Sequence, residues 1–85
     1  MPYIKNDRRE RFKDGLKNLN GRVLNCGELN YVLSRICLDY LANFEPSYQR
    51  FCEVEGVLSH VSKELYRREV STYEDKKRVE NGDIK

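Results

Sequence analysis

The chain has 85 residues, of which 39% are hydrophobic and 35% charged, and its 16 basic and 14 acidic residues leave a formal charge of +2. A chain of this size holds one domain with a modest core, carries no strong field toward nucleic acid or a membrane surface, and nowhere reaches the roughly 20 consecutive apolar residues of a membrane span. Cys26, Cys37 and Cys52 are widely spaced, form no CxxC pair and meet a single histidine, His60; this argues against a disulfide scaffold or a metal site and reads as buried, reduced thiols in the cytoplasm.

Met1–Asn6 reads as an extended arm, because Pro2 lacks a backbone donor and Tyr3-Ile4 needs apolar cover. The arm starts without an apolar signal core, so export is not expected. Asp7 to Lys13 is polar, with Phe12 its one large anchor, and Gly15 weakens a continuous helix. A short helix is therefore expected from near Asp14, with Leu16, Leu19, Val23 and Leu24 on one side. Asn20-Gly21 interrupts it.

Leu29, Val32, Leu33, Ile36, Cys37, Tyr40, Leu41 and Phe44 follow helical spacing and predict a second helix over about Gly27–Asn43. Asn25 and Glu28 stand at capping-box spacing before it. Glu45-Pro46 breaks the chain, and Ser47 is placed to cap the next helix. So short a connection predicts that the second and third helices are antiparallel neighbours.

The third helix is expected from Ser47 to Glu80, closed by Asn81-Gly82. Phe51, Val54, Leu58, Val61 and Leu65 alternate threes and fours along one stripe, which thins beyond Leu65. Gly56 and Ser71-Thr72 are its weak points. Uninterrupted, this helix measures about 50 Å at 1.5 Å per residue. The second helix is about half as long, so the C-terminal half is expected to pack on another subunit. Glu64–Arg68 and Glu74–Arg78 are expected as i, i+4 ion pairs, too weak to hold a lone helix. Asn81–Lys85 is a polar tail. The expected fold is thus one all-α domain of about three helices, with a long C-terminal helix, completed by homo-oligomerisation.

The segment Leu65 to Lys77 concentrates polar chemistry. Arg67, Arg68 and Lys63 could meet a phosphate or carboxylate, and Tyr66, Tyr73 or Tyr40 could stack on a base. The bland alternative is a solvated helix face. Glu53, Glu55, Glu64, Glu69, Glu74 and Asp75 almost all have a basic neighbour, and none stands in an apolar setting that would tune it for acid–base work. No nucleotide-binding or serine-hydrolase pattern occurs. The chain therefore reads as non-enzymatic, with no cofactor. Those same acids would repel nucleic-acid phosphates, which leaves the basic N-terminal patch Lys5, Arg8, Arg9, Arg11 and Lys13 as the best candidate for such contact.

MPYI at the start, GELNYV (Gly27–Val32), PSY (Pro46–Tyr48), GVL (Gly56–Leu58), LYRR (Leu65–Arg68), YEDKK (Tyr73–Lys77) and ENGD (Glu80–Asp83) together resemble a family of small uncharacterised proteins of bacteriophages and bacterial genomes. The resemblance runs through nearly the whole chain and departs at Asp14-Gly15 and Asn20-Gly21, where the family is more regularly helical. It implies a phage or prophage setting in the host cytoplasm, where small helical proteins blunt immunity, some by sequestering cyclic nucleotide signals. On that analogy the expected role is binding a small anionic, nucleotide-like ligand at a subunit interface. The candidate site residues are Tyr66, Arg67, Arg68, Tyr73 and Lys77, with Tyr3, Asn30 and Tyr31 from other matched pieces. The alternative is an adaptor or inhibitor that docks the charged face of the long helix on a host protein.

Overall fold

The computed structural model describes residues 3–85, so the Met1-Pro2 start of the arm lies outside the described residues. The fold is all-α, with three helical stretches and no strand among the described residues. The chain divides into two compact units, Met1–Glu45 and Pro46–Lys85.

In the first unit, helical structure starts earlier than the sequence suggests. It opens with Asn6–Arg9, tightens into a 3₁₀ turn at Glu10–Phe12 and continues as Lys13–Leu19. The polar run sustains it because Arg, Glu and Lys are good helix formers, and Asp7 lies in the first turn, where the helix dipole favours an acid. A 3.7 Å ion pair from Lys13 to Glu10 spans the 3₁₀ turn, and the Arg11 guanidinium lies 5.6 Å from the centre of the Phe12 ring. Gly15 costs too little to stop the helix. The stop comes at Asn20-Gly21, as expected, with Gly21 at φ +82°. Val23 and Leu24 consequently sit in the following loop and not on the helix.

The second helix is Cys26–Leu41. Asn25 caps it, its Oδ1 accepting from the Glu28 amide at 2.9 Å. The return bond of the capping box reaches one residue further than usual: Glu28 Oε1 accepts from the Leu24 amide at 2.8 Å. At the other end, Tyr40 and Phe44 meet edge to face at 5.2 Å, and the Asn43 side chain donates to the Asp39 carbonyl at 3.2 Å.

The second unit is one helix of 34 residues. It runs as α-helix over Tyr48–Leu65, as π-helix over Tyr66–Val70 and as α-helix again over Ser71–Asn81. Ser47 caps it through Oγ, which accepts from the Arg50 amide at 3.2 Å. Gly82 ends it at φ +87°, a conformation that L side chains rarely adopt.

No side chain among the described residues is fully buried. Leu19, Val23, Val32, Leu41 and Val54 are half-buried. The cysteines differ from the sequence reading: all three are free, but Cys26 and Cys52 are exposed and only Cys37 is half-buried. Cys26 opens the second helix on its first turn, and Cys52 falls between the stripe positions Phe51 and Val54, so neither is carried inward.

Candidate functional site at the π turn

The π-helical turn coincides with the LYRR motif. The Ser71 amide donates to the Tyr66 carbonyl, five residues back, in place of the α-helical four. Such a turn adds about one residue to a single revolution and is rare. Counted at 3.6 residues per turn, the five steps from Leu65 to Val70 would rotate Val70 by about 140° away from Leu65. With one residue absorbed in the π turn, the step acts as four and the rotation falls to about 40°. Val70, Tyr73 and Lys77 therefore rejoin the stripe of Phe51, Val54, Leu58, Val61 and Leu65. The stripe that thins in the sequence continues in the structure.

Glu64 organises the polar side of this turn. Its Oε1 accepts from Arg67 Nη2 at 2.7 Å and from Arg68 Nε at 2.6 Å, and its Oε2 accepts from Arg67 Nε at 3.4 Å. Bonds from Arg67 and then Arg68 pull the Glu64 carboxyl down to a pKa of about 2. The same contact raises the Arg67 guanidinium, which stays charged. A carboxyl held this firmly ionised cannot serve as a general acid near neutral pH. Lys63, the residue before Glu64 in the chain, has no bonding partner among the described residues.

Tyr66 crosses the turn in the other direction. Its hydroxyl donates to Glu74 Oε2 at 3.0 Å, eight residues along. That reach spans two turns only because one residue is absorbed between them. The bond to Glu74, followed by that carboxylate's charge, raises the Tyr66 hydroxyl above its ordinary value. Thr72 Oγ1 donates to the Arg68 carbonyl at 3.3 Å, tying the turn from its C-terminal side.

Of the sequence-derived candidates, Tyr66, Arg67, Arg68, Tyr73 and Lys77 thus lie on one helix within three turns. Lys77 Nζ stands 5.5 Å from the centre of the Tyr73 ring and bonds Glu80 at 3.1 Å. Asn30 and Tyr31 are consecutive, exposed residues of the second helix, and Tyr3 lines a shallow concavity with Ile4, Arg8 and Phe12. All three belong to the first unit.

The expected Glu64–Arg68 pair is present. The expected Glu74–Arg78 pair is not: Glu74 is taken by Tyr66, while Arg78 approaches Asp75 at 4.0 Å and Asp83 at 3.9 Å. What sequence reasoning missed was the double role of Glu64 and the Tyr66–Glu74 bond. The signal that could have exposed both was the five-residue step in the apolar stripe.

No curated protein and no solved structure matches the chain. One family model does, over residues 1–84, and the protein accordingly belongs to the family described as Domain of unknown function (DUF6899).

Proposed function

We propose that this is a non-enzymatic accessory protein of phage type, acting in the host cytoplasm as an adaptor or inhibitor that docks the charged face of its long helix on a partner protein. The observation that carries this reading is the cluster at the π turn, where Arg67 and Arg68 both bond the single carboxylate of Glu64. The guanidiniums are 68% and 57% exposed at their side chains, yet both are held in place by short bonds. Preordered, exposed, charged side chains on a helix suit recognition of an acidic surface, since little side-chain freedom remains to be lost on docking. The phage setting, with its immunity-blunting roles, rests on the motif resemblance.

The test is capture from host lysate with the wild-type protein and with Arg67→Glu. A stoichiometric partner retained by the first and lost by the second is the expected result. Equal capture by both overturns the reading.

A second reading, sequestration of a small nucleotide-like anion, draws support from the local charge, because three cations and one acid between Lys63 and Arg68 leave an excess of two. Glu64 weakens it by occupying both guanidinium groups. Thermal-shift titration with cyclic dinucleotides separates the two: stabilisation that disappears in Arg68→Ala favours the small ligand, and no shift at saturation excludes it.

A further inference from the structure

The nearly balanced total charge conceals an uneven distribution. Residues 1–22 hold seven basic and three acidic residues, a net +4, whereas residues 23–85 hold nine basic and eleven acidic, a net −2. The two stretches also use their cations differently. Beyond residue 22, Arg35, Arg50, Arg67, Arg68, Lys77 and Arg78 each meet a carboxylate within 4.0 Å. Before it, among the described residues, Lys13 alone does, at 3.7 Å from Glu10. Lys5, Arg8, Arg9, Lys17 and Arg22 are exposed and have no side-chain partner among the described residues. Like charges three and four apart repel on a helix, so this stretch gains nothing in stability from them, and an anion from outside relieves the repulsion.

Three of the basic side chains gather at one place. Lys5, Arg8 and Arg11 line the shallow concavity beside Tyr3 and Phe12, against one acid, Asp7. Arg8 and Arg11 are three apart at the entry to the 3₁₀ turn, a geometry that brings side chains three apart into line. Both rings are open: Tyr3 is 81% exposed and Phe12 50%. Exposed rings among unpaired cations suit a ligand that alternates negative charge with flat, accessible bases. A duplex hides its base faces in the stack, and a lone phosphate offers none. The basic residues also continue past the concavity to Lys13 and Lys17. From Lys5 to Lys17 the helical stretch is about 18 Å long, so the charge follows a line, as a strand does, and not a point.

We propose that the first helical stretch binds single-stranded nucleic acid. Lys5, Arg8 and Arg11 meet successive phosphates, and Tyr3 and Phe12 stack on bases. This site lies in the first unit and is independent of the docking assigned to the long helix.

The test is fluorescence anisotropy of labelled oligothymidine and oligouridine with the full chain. Binding of either strand at about 50 mM salt is expected, weakening about 16-fold by about 200 mM, the slope of three phosphate contacts on a single strand. Arg8→Gln combined with Arg11→Gln keeps good helix formers; it should weaken binding about tenfold or more and flatten the salt slope to about a third. Tyr3→Ala should weaken binding about fivefold or more with the slope unchanged, while Tyr3→Phe, which keeps the ring, should bind as the wild type does. Arg67→Glu, in the second unit, should leave strand affinity unaltered, which separates this site from the docking reading. The proposal is overturned by no binding at about 50 mM salt, by a duplex that binds as tightly as the strand, or by undiminished binding in the double arginine variant or in Tyr3→Ala.

Discussion

Glu64 is the residue on which the charged turn depends, and its titration gives a sharp expectation. Its carboxyl is held at about 2 in the fold, against an ordinary 4.5. A depressed folded pKa means that the contribution to stability is fully present above about 4.5 and is lost as pH falls toward 2. Helical circular dichroism across that window should fall more steeply for the wild type than for Glu64→Gln, which has no carboxyl to protonate; parallel curves would show that the two arginine bonds do not form in solution. Tyr66 runs the opposite way. Its hydroxyl is raised by Glu74, so its contribution is present below the ordinary phenol value and lost as pH climbs through the raised one. Ultraviolet titration should therefore find Tyr66 ionising later in the wild type than in Glu74→Gln, which removes the carboxylate that raises it.

At the scale of elements, the caps carry the helix starts. Asn25→Ala removes the acceptor for the Glu28 amide and should lower stability by about 1 kcal/mol, read from the urea midpoint. This cap, the Ser47 cap and the Gly82 stop were all legible in the sequence, because each depends on residues within four of one another. The second helix was legible for the same reason, its apolar period being unbroken. The start of the first helix was not: charged residues give no apolar stripe to count, and their helix propensity decided the matter unseen. The π turn was hidden because counting in steps of 3.6 makes Val70 and Tyr73 look misplaced, so the stripe seemed to end at Leu65. With it went the Tyr66–Glu74 bond and the true partners of Arg78. If the π turn exists to absorb one surplus residue, deleting Glu69 should be tolerated. The step from Leu65 to Val70 then becomes four, the turn relaxes to α-helix, and Tyr66 keeps its reach to Glu74. Helical signal and thermal midpoint should stay close to wild type, whereas deleting a residue from Val57 to Val61, in regular α-helix, should throw the stripe out of line and lower both.

The long helix carries an apolar stripe that is continuous, in line and open, and among the described residues of the first unit no side chain is fully buried either. Folding that depends on association has a signature that no intrachain packing can produce. If native structure requires two chains, mass action makes each tenfold rise in concentration add about 1.4 kcal/mol to the folded side. Spread over the unfolding entropy of two 85-residue chains, that should raise the thermal midpoint by about 4 °C per decade of concentration. Leu58→Asp puts a charge into the middle of the stripe and should abolish the dependence by preventing pairing. A midpoint that ignores concentration in the wild type would mean that each chain covers its own stripe.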